Sequence, residues 1–126
     1  MTRRIVGIVQ ARMEASRSPN KMMLSFHGYP IIDWIHHRVS KSKKLDTLVF
    51  AIPNTSQNDI LEQHLTKLGA QVLRGSEKNV LDRFYKAAIA KEATHIVRIC
   101  ADNPFVCPDA IDDLIKHYFQ ESCLII

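Results

Sequence analysis

Glycine is scarce in this 126-residue chain, with four in all, and none lies between Gln10 and His27. Neither GxxxxGK[ST] nor GxGxxG occurs, which disfavours a P-loop NTPase and a dinucleotide-binding protein of the common type. Three cysteines, Cys100, Cys107 and Cys123, are an odd number without CxxC spacing. They argue against a disulfide framework or a zinc site and predict reduced thiols. No apolar run approaches the roughly 18 residues of a membrane span. Ile5 to Val9, behind Arg3 and Arg4, is too short for a signal-peptide core, so a cytoplasmic protein without a membrane partner is expected. The six histidines show no His-x-x-x-His spacing, and no Asp-x-Asp motif occurs. Lys41, Lys43 and Lys44 lack aromatic interleaving, which gives no reason to expect a nucleic-acid partner.

What is present is ordinary for one globular domain spanning residues 1–126: 46% hydrophobic and 24% charged residues. The net charge of +4 and pI near 9.1 hide an uneven distribution. Residues 1–44 carry a net +7, and the remainder carries −3.

Short uninterrupted apolar runs at Ile5 to Val9, Leu48 to Ile52, Ile96 to Ala101 and Cys123 to Ile126, with a weaker one at Gln71 to Leu73, predict parallel strands buried on both faces. Between them lie helical stripes: Ile31, Ile35 and Val39; Leu61, Leu65 and Leu68; Val80, Leu81, Phe84 and Ala88; Ile111, Leu114, Ile115 and Tyr118. Pro30 and Pro108 suit first helical turns, Gly69 a C-terminal cap and Ser76 an N-cap. Alternation along the whole chain predicts a doubly wound, mainly parallel α/β sheet. Its ligands belong at the carboxyl ends of the strands.

The loop after the first strand brings Arg12, Arg17 and Lys21, with the hydroxyl of Ser16, to that end. Such a set can neutralise a polyphosphate, or it can be a solvated basic loop. Asp102 follows Ile96 to Ala101, where a carboxylate either suits Mg²⁺ or caps the turn before Pro104. Arg98, inside the same run, needs a partner, and Asp82 or Asp102 is the expected one. Cys100 reads as a small buried thiol.

Gln10-Ala11-Arg12-Met13 followed by Ser16-Arg17, Pro19 and Lys21 resembles the signature of the cytidylyltransferases that include acylneuraminate synthetases, 3-deoxy-manno-octulosonate cytidylyltransferases and spore-coat polysaccharide biosynthesis proteins of the F type. Arg74-Gly75-Ser76, Val80-Leu81-Asp82-Arg83, Val97-Arg98-Ile99 and Ala101-Asp102-Asn103-Pro104-Phe105 extend the likeness in order. The resemblance implies a nucleotide-diphospho-sugar transferase (Rossmann-like) fold, present here in its N-terminal half. It implies transfer of CMP from CTP to an acidic sugar, with release of pyrophosphate, in surface polysaccharide biosynthesis. It would give Arg12, Ser16, Arg17 and Lys21 to the triphosphate, main-chain groups from Ala51 to Asn54 to the base, and Asp102 to Mg²⁺. Arg12, Lys21 and Asp102 would then be the catalytic residues.

The chain departs from the family pattern where Glu14, Ala15, Ser18 and Asn20 stand at positions commonly Gly, Ser, Leu and Gly. Those changes, with a length short for the family, raise the alternative of an inert relative that binds nucleotide or a partner without turnover. An apolar strand at Cys123 to Ile126 would leave a sheet edge suited to homodimerisation.

Overall fold

The computed structural model describes residues 3–13, 21–101 and 106–121. In chain order these form β1 (Ile5–Gln10), a 3₁₀ turn (Lys21–Met23), β2 (Ser25–Phe26), β3 (Tyr29–Pro30), α1 (Ile31–Val39), β4 (Thr47–Pro53), a second 3₁₀ turn (Ser56–Asn58), α2 (Asp59–Lys67), β5 (Gln71–Gly75), α3 (Val80–Ala90), β6 (His95–Cys100) and α4 (Pro108–Glu121). The main sheet has the order β5-β4-β1-β6, and its pairs are all parallel. The anticipated strand at Cys123 to Ile126, and the dimer edge read from it, lie outside the described residues.

β1 is central because its sequence leaves no polar face: Ile5, Val6, Ile8 and Val9 are at most 5% exposed. On one face Ile5, Val9, Phe50 and Ile52 meet Ile32, Ile35 and Val39 of α1, Leu61 and Leu65 of α2, and Ile111 and Ile115 of α4. On the other, Val6, Ile8, Val49 and Ala51 meet Phe84 and Ala87 of α3. Each fully buried Ile, Leu, Val or Phe contributes roughly 1.5–3 kcal/mol, so this two-sided core is what fixes the strand order. Helices on both faces make the sheet doubly wound, as the alternation of apolar runs and stripes predicts. No helix among the described residues is long and apolar enough to cross a membrane.

Several expectations need correction. β6 is buried on one face only: Ile96 is 48% exposed, and Arg98 and Cys100 are exposed beside it. α3 packs chiefly over β4, β5 and β1, and along this face of β6 it leaves a groove walled by Val80, Leu81 and Phe84. Leu81 of α3 and Leu114 of α4, expected in the core, are 81% and 40% exposed and both line that groove. α3 is capped by Asn79, whose side chain accepts the Asp82 N–H, while Ser76 accepts the Asn79 N–H one turn earlier. Pro30 precedes α1 and pairs with Ser25 in a small hairpin. That hairpin turns on His27 (φ 50°) and Gly28 (φ 86°), the left-handed region that glycine enters freely.

Candidate functional site

The chain runs from β1 outward to β4 and β5, then returns to place β6 on the other flank of β1. The strand order therefore reverses between β1 and β6, which is where an open α/β sheet leaves its binding crevice. Gln10 ends β1 opposite Ala51 of β4 and Cys100 of β6. Its carbonyl accepts the Ala101 N–H at 3.3 Å, and the next residue, Ala11, donates to the Ala51 carbonyl at 3.2 Å. The basic loop and the segment bearing Asp102 thus leave neighbouring strand ends on one side of the sheet.

The root of the basic loop alternates. Ala11 and Met13 are 2% and 4% exposed, whereas Arg12 between them is exposed and stands at the mouth of the sheet. The Met13 N–H donates to Asn58 Oδ1 at 2.9 Å, and Asn58 Nδ2 donates to Thr55 Oγ1 at 2.8 Å. Asn58 is wholly buried, so the loop after β1 is fixed to the loop after β4 by one amide side chain. Sequence reasoning missed it; the available signal was an Asn directly before a helix, which reads first as a cap. Met22, 4% exposed, re-enters the core just after Lys21, whose main chain opens the first 3₁₀ turn. Ser16 and Arg17 lie outside the described residues, as does the Lys21 side chain.

The base-reading segment expected at Ala51 to Asn54 is largely engaged in holding the fold. Ala51 is fully buried, and its carbonyl accepts from Ala11. The Asn54 N–H donates to the Gly75 carbonyl at 2.8 Å, and the Asn54 side chain is exposed. Arg74 is likewise occupied, donating to Asp59 at 2.7 Å, Glu62 at 3.0 Å and the Thr55 carbonyl. Burial works against its charge, yet the hydrogen bonds to Asp59 and Glu62 hold its pKa above the ordinary value. Arg83, 2% exposed, donates to the Ser76 carbonyl at 2.8 Å, and its stem closes against Gly75. Both arginines of the likeness near β5 therefore shape the rim.

Arg98 meets Gln10 Oε1 at 3.4 Å and lies 5.6 Å from the Phe84 ring. Asp82, one of its two expected partners, pairs instead with Lys86 at 3.3 Å, one turn along α3. The other, Asp102, lies outside the described residues. Cys100 is exposed and not a core thiol, because it shares the uncovered face of β6 with Arg98. Among the described residues no three His, Cys, Asp or Glu side chains gather to hold a metal. Asp102, the carboxylate expected to suit Mg²⁺, lies outside the described residues.

The comparisons with known proteins agree with this geometry. The family model described as cytidylyltransferase matches residues 6–123. The spore coat polysaccharide biosynthesis protein SpsF of Bacillus subtilis (strain 168) is 40% identical over 122 residues, covering 94% of this chain and 51% of SpsF. A cytidylyltransferase from Leptospira borgpetersenii superposes with a TM-score of 0.90 at 26% identity, covering 94% of this chain and 50% of that one. A CMP:2-keto-3-deoxy-manno-octonic acid synthetase complexed with CTP shares the fold, with a TM-score of 0.85 at 20% identity over 96% of this chain and 49% of that one. The chain spans about half the length of the curated relatives it matches. With the family model covering nearly every residue of the sheet and its helices, the chain belongs to the cytidylyltransferase family.

Proposed function

We propose that this chain is the nucleotide-binding half of a cytoplasmic, Mg²⁺-dependent enzyme that transfers CMP from CTP to an acidic sugar for surface polysaccharide, releasing pyrophosphate. The observation that carries the reading is the register of Gln10 with Cys100, which roots the cationic loop and the Asp102 segment side by side. Support also comes from the CTP bound by the octonic acid synthetase and from the polysaccharide role in SpsF's name.

In this reading Arg12, Ser16, Arg17 and Lys21 hold the triphosphate, with arginine supplying forked hydrogen bonds and lysine a point charge. The exposed Asn54 side chain contacts the base, since the Ala51 carbonyl and the Asn54 N–H of the expected segment are already engaged. Asp102 holds Mg²⁺, which would neutralise phosphate charge when bound. Attack of the sugar oxygen on the α-phosphorus spreads negative charge over phosphate oxygens, so the protein's work is positioning and cationic stabilisation. Buried Ala11 and Met13 anchor the backbone on either side of exposed Arg12 and set where its side chain leaves the sheet.

The test is pyrophosphate release from CTP with 3-deoxy-manno-octulosonate or N-acetylneuraminate, with Asp102→Asn as the inactive control. Release that survives Asp102→Asn, or no release with either acid, counts against the reading. Glu14 and Ala15, standing where the family commonly has Gly and Ser, favour a second reading, an inert nucleotide binder. Mg²⁺-dependent heat on CTP titration without turnover would select it.

A further inference from the structure

We infer that the end of the molecule opposite the binding crevice is an electrostatic docking surface for anionic phospholipid headgroups; this goes beyond the transfer reaction and does not rest on it. All pairs in the main sheet are parallel, so the connections that enter its four strands share one end. Each carries at least one cation: Arg3 before β1, Lys41, Lys43 and Lys44 before β4, Lys67 closing α2 before β5, and Lys91 before β6. The acids on the same connections are Asp46 and Glu92, and Asp46 is engaged by the Ile5 N–H at 2.7 Å. Asp112 of α4 also reaches this end. It accepts from the Ser42 hydroxyl and from the main-chain N–H groups of Lys43 and Lys44, at 3.0 and 3.1 Å. Asp112 therefore pins the backbone of the lysine loop, while Lys41, Lys43 and Lys44 stay exposed. Among the described residues none of the six cations forms an ion pair.

The form of the patch decides between anionic partners. Its cations are spread over the breadth of four strands spaced about 4.8 Å apart, and five of the six are lysines, point charges without the planar fork that reads a particular phosphate. None of the four connections holds a Phe, Tyr or Trp, so the stacking platforms of a single-stranded nucleic-acid groove are missing from them. A broad, diffuse field of lysines matches the anionic cytoplasmic leaflet, which attracts basic segments lying within a Debye length of it. The absence of a spanning run underlies the expectation of no membrane partner, but contact through headgroups needs no span. Six residues of strand at about 3.3 Å each hold the crevice roughly 20 Å from the lipid. Docked this way, its mouth faces water and stays open to soluble ligands.

The probe is a vesicle of phosphatidylcholine with roughly one-quarter phosphatidylserine, sedimented with the 126-residue chain at about 50 mM salt. Wild type should sediment with it, stay in solution with pure phosphatidylcholine, and be released at about 500 mM salt. Changing Lys41, Lys43 and Lys44 together to Gln should weaken partitioning on the order of a hundredfold, about fivefold for each charge near the surface. Lys86→Gln, which removes an exposed lysine of α3 away from this end, should change it less than about twofold. Because the three lysines are exposed, the urea midpoint of the triple variant should match wild type, and so should its Mg²⁺-dependent titration with CTP. Neutral vesicles bound as well as anionic ones, no sedimentation at low salt, or a triple variant that partitions like wild type would each overturn the assignment. So would a mixed-sequence single-stranded RNA that binds more tightly than the vesicle through the same three lysines. Failure of wild type to bind CTP, with the vesicle results intact, would sink the transfer reading and leave the docking surface standing.

Discussion

Asn58→Ala is the perturbation whose cost follows most directly from the geometry. Truncation removes the acceptor of the Met13 N–H and the donor to Thr55 Oγ1 in a wholly buried position. A buried donor left unsatisfied costs about 1–3 kcal/mol, and loss of the second bond adds about 1 kcal/mol. The total, about 2–4 kcal/mol, is a large fraction of the 5–15 kcal/mol typical of a domain. It should appear as a lower urea midpoint at unchanged slope. CTP affinity should fall as well, since the same bond sets where Arg12 leaves the sheet. Asn58→Asp sharpens the test. It keeps the shape and the acceptor but buries a carboxylate, whose folded pKa must then rise. The variant should therefore be destabilised at neutral pH and recover relative to wild type as the pH falls through that raised pKa. An Asn58→Ala midpoint within about 0.5 kcal/mol of wild type, the range of ordinary surface changes, would refute the claim that this amide fixes the loop.

Gly75→Ala should cost about 1–3 kcal/mol by overpacking, because its Cβ would sit 3.0 Å from Arg83 Cγ and 3.3 Å from the Arg83 Cα; an unchanged thermal midpoint would contradict this. Asp112 is partly desolvated, but the Ser42 hydroxyl and the Lys43 and Lys44 amides override that and hold its carboxyl below the usual 3.8. The resulting stability is present above about pH 4 and lost as the pH falls further, so urea midpoints between pH 5 and 3 should drop more steeply in wild type than in Asp112→Asn. Burial lowers the His36 pKa from 6.5, with Asp33 opposing and His37 adding to the effect. The unfolded chain then takes up that proton first, so wild type should lose stability below about pH 6.5, and His36→Gln should flatten the slope.

The sheet was legible in the sequence because its strands are buried where they matter. Ile5 to Val9, Leu48 to Ile52 and Gln71 to Leu73 each fall within an observed strand, and their lack of alternation correctly indicated parallel pairing. β6 misled for a physical reason. Ile96 and Cys100 are apolar, so the run looks buried on both sides, and nothing in its composition tells that an open groove runs along one face of it. Leu81 failed likewise, since helical periodicity gives a stripe but not what lies opposite. At the candidate site the cations were visible by type and spacing, whereas Asn58 was not. Its partner Met13 lies 45 residues away, and the bond exists only once β4 lies beside β1.

Met13 and Met22 have a bearing on how this protein could be altered. Both are hydrophobic posts sunk in the core, and residues 14–21 are strung between them. Truncating either methionine to alanine should cost about 2–5 kcal/mol, so any exchange of the span has to keep both. With both posts kept, glycine and serine at positions 14 and 15, or a relative's whole span, would test how the family's common residues alter the chemistry.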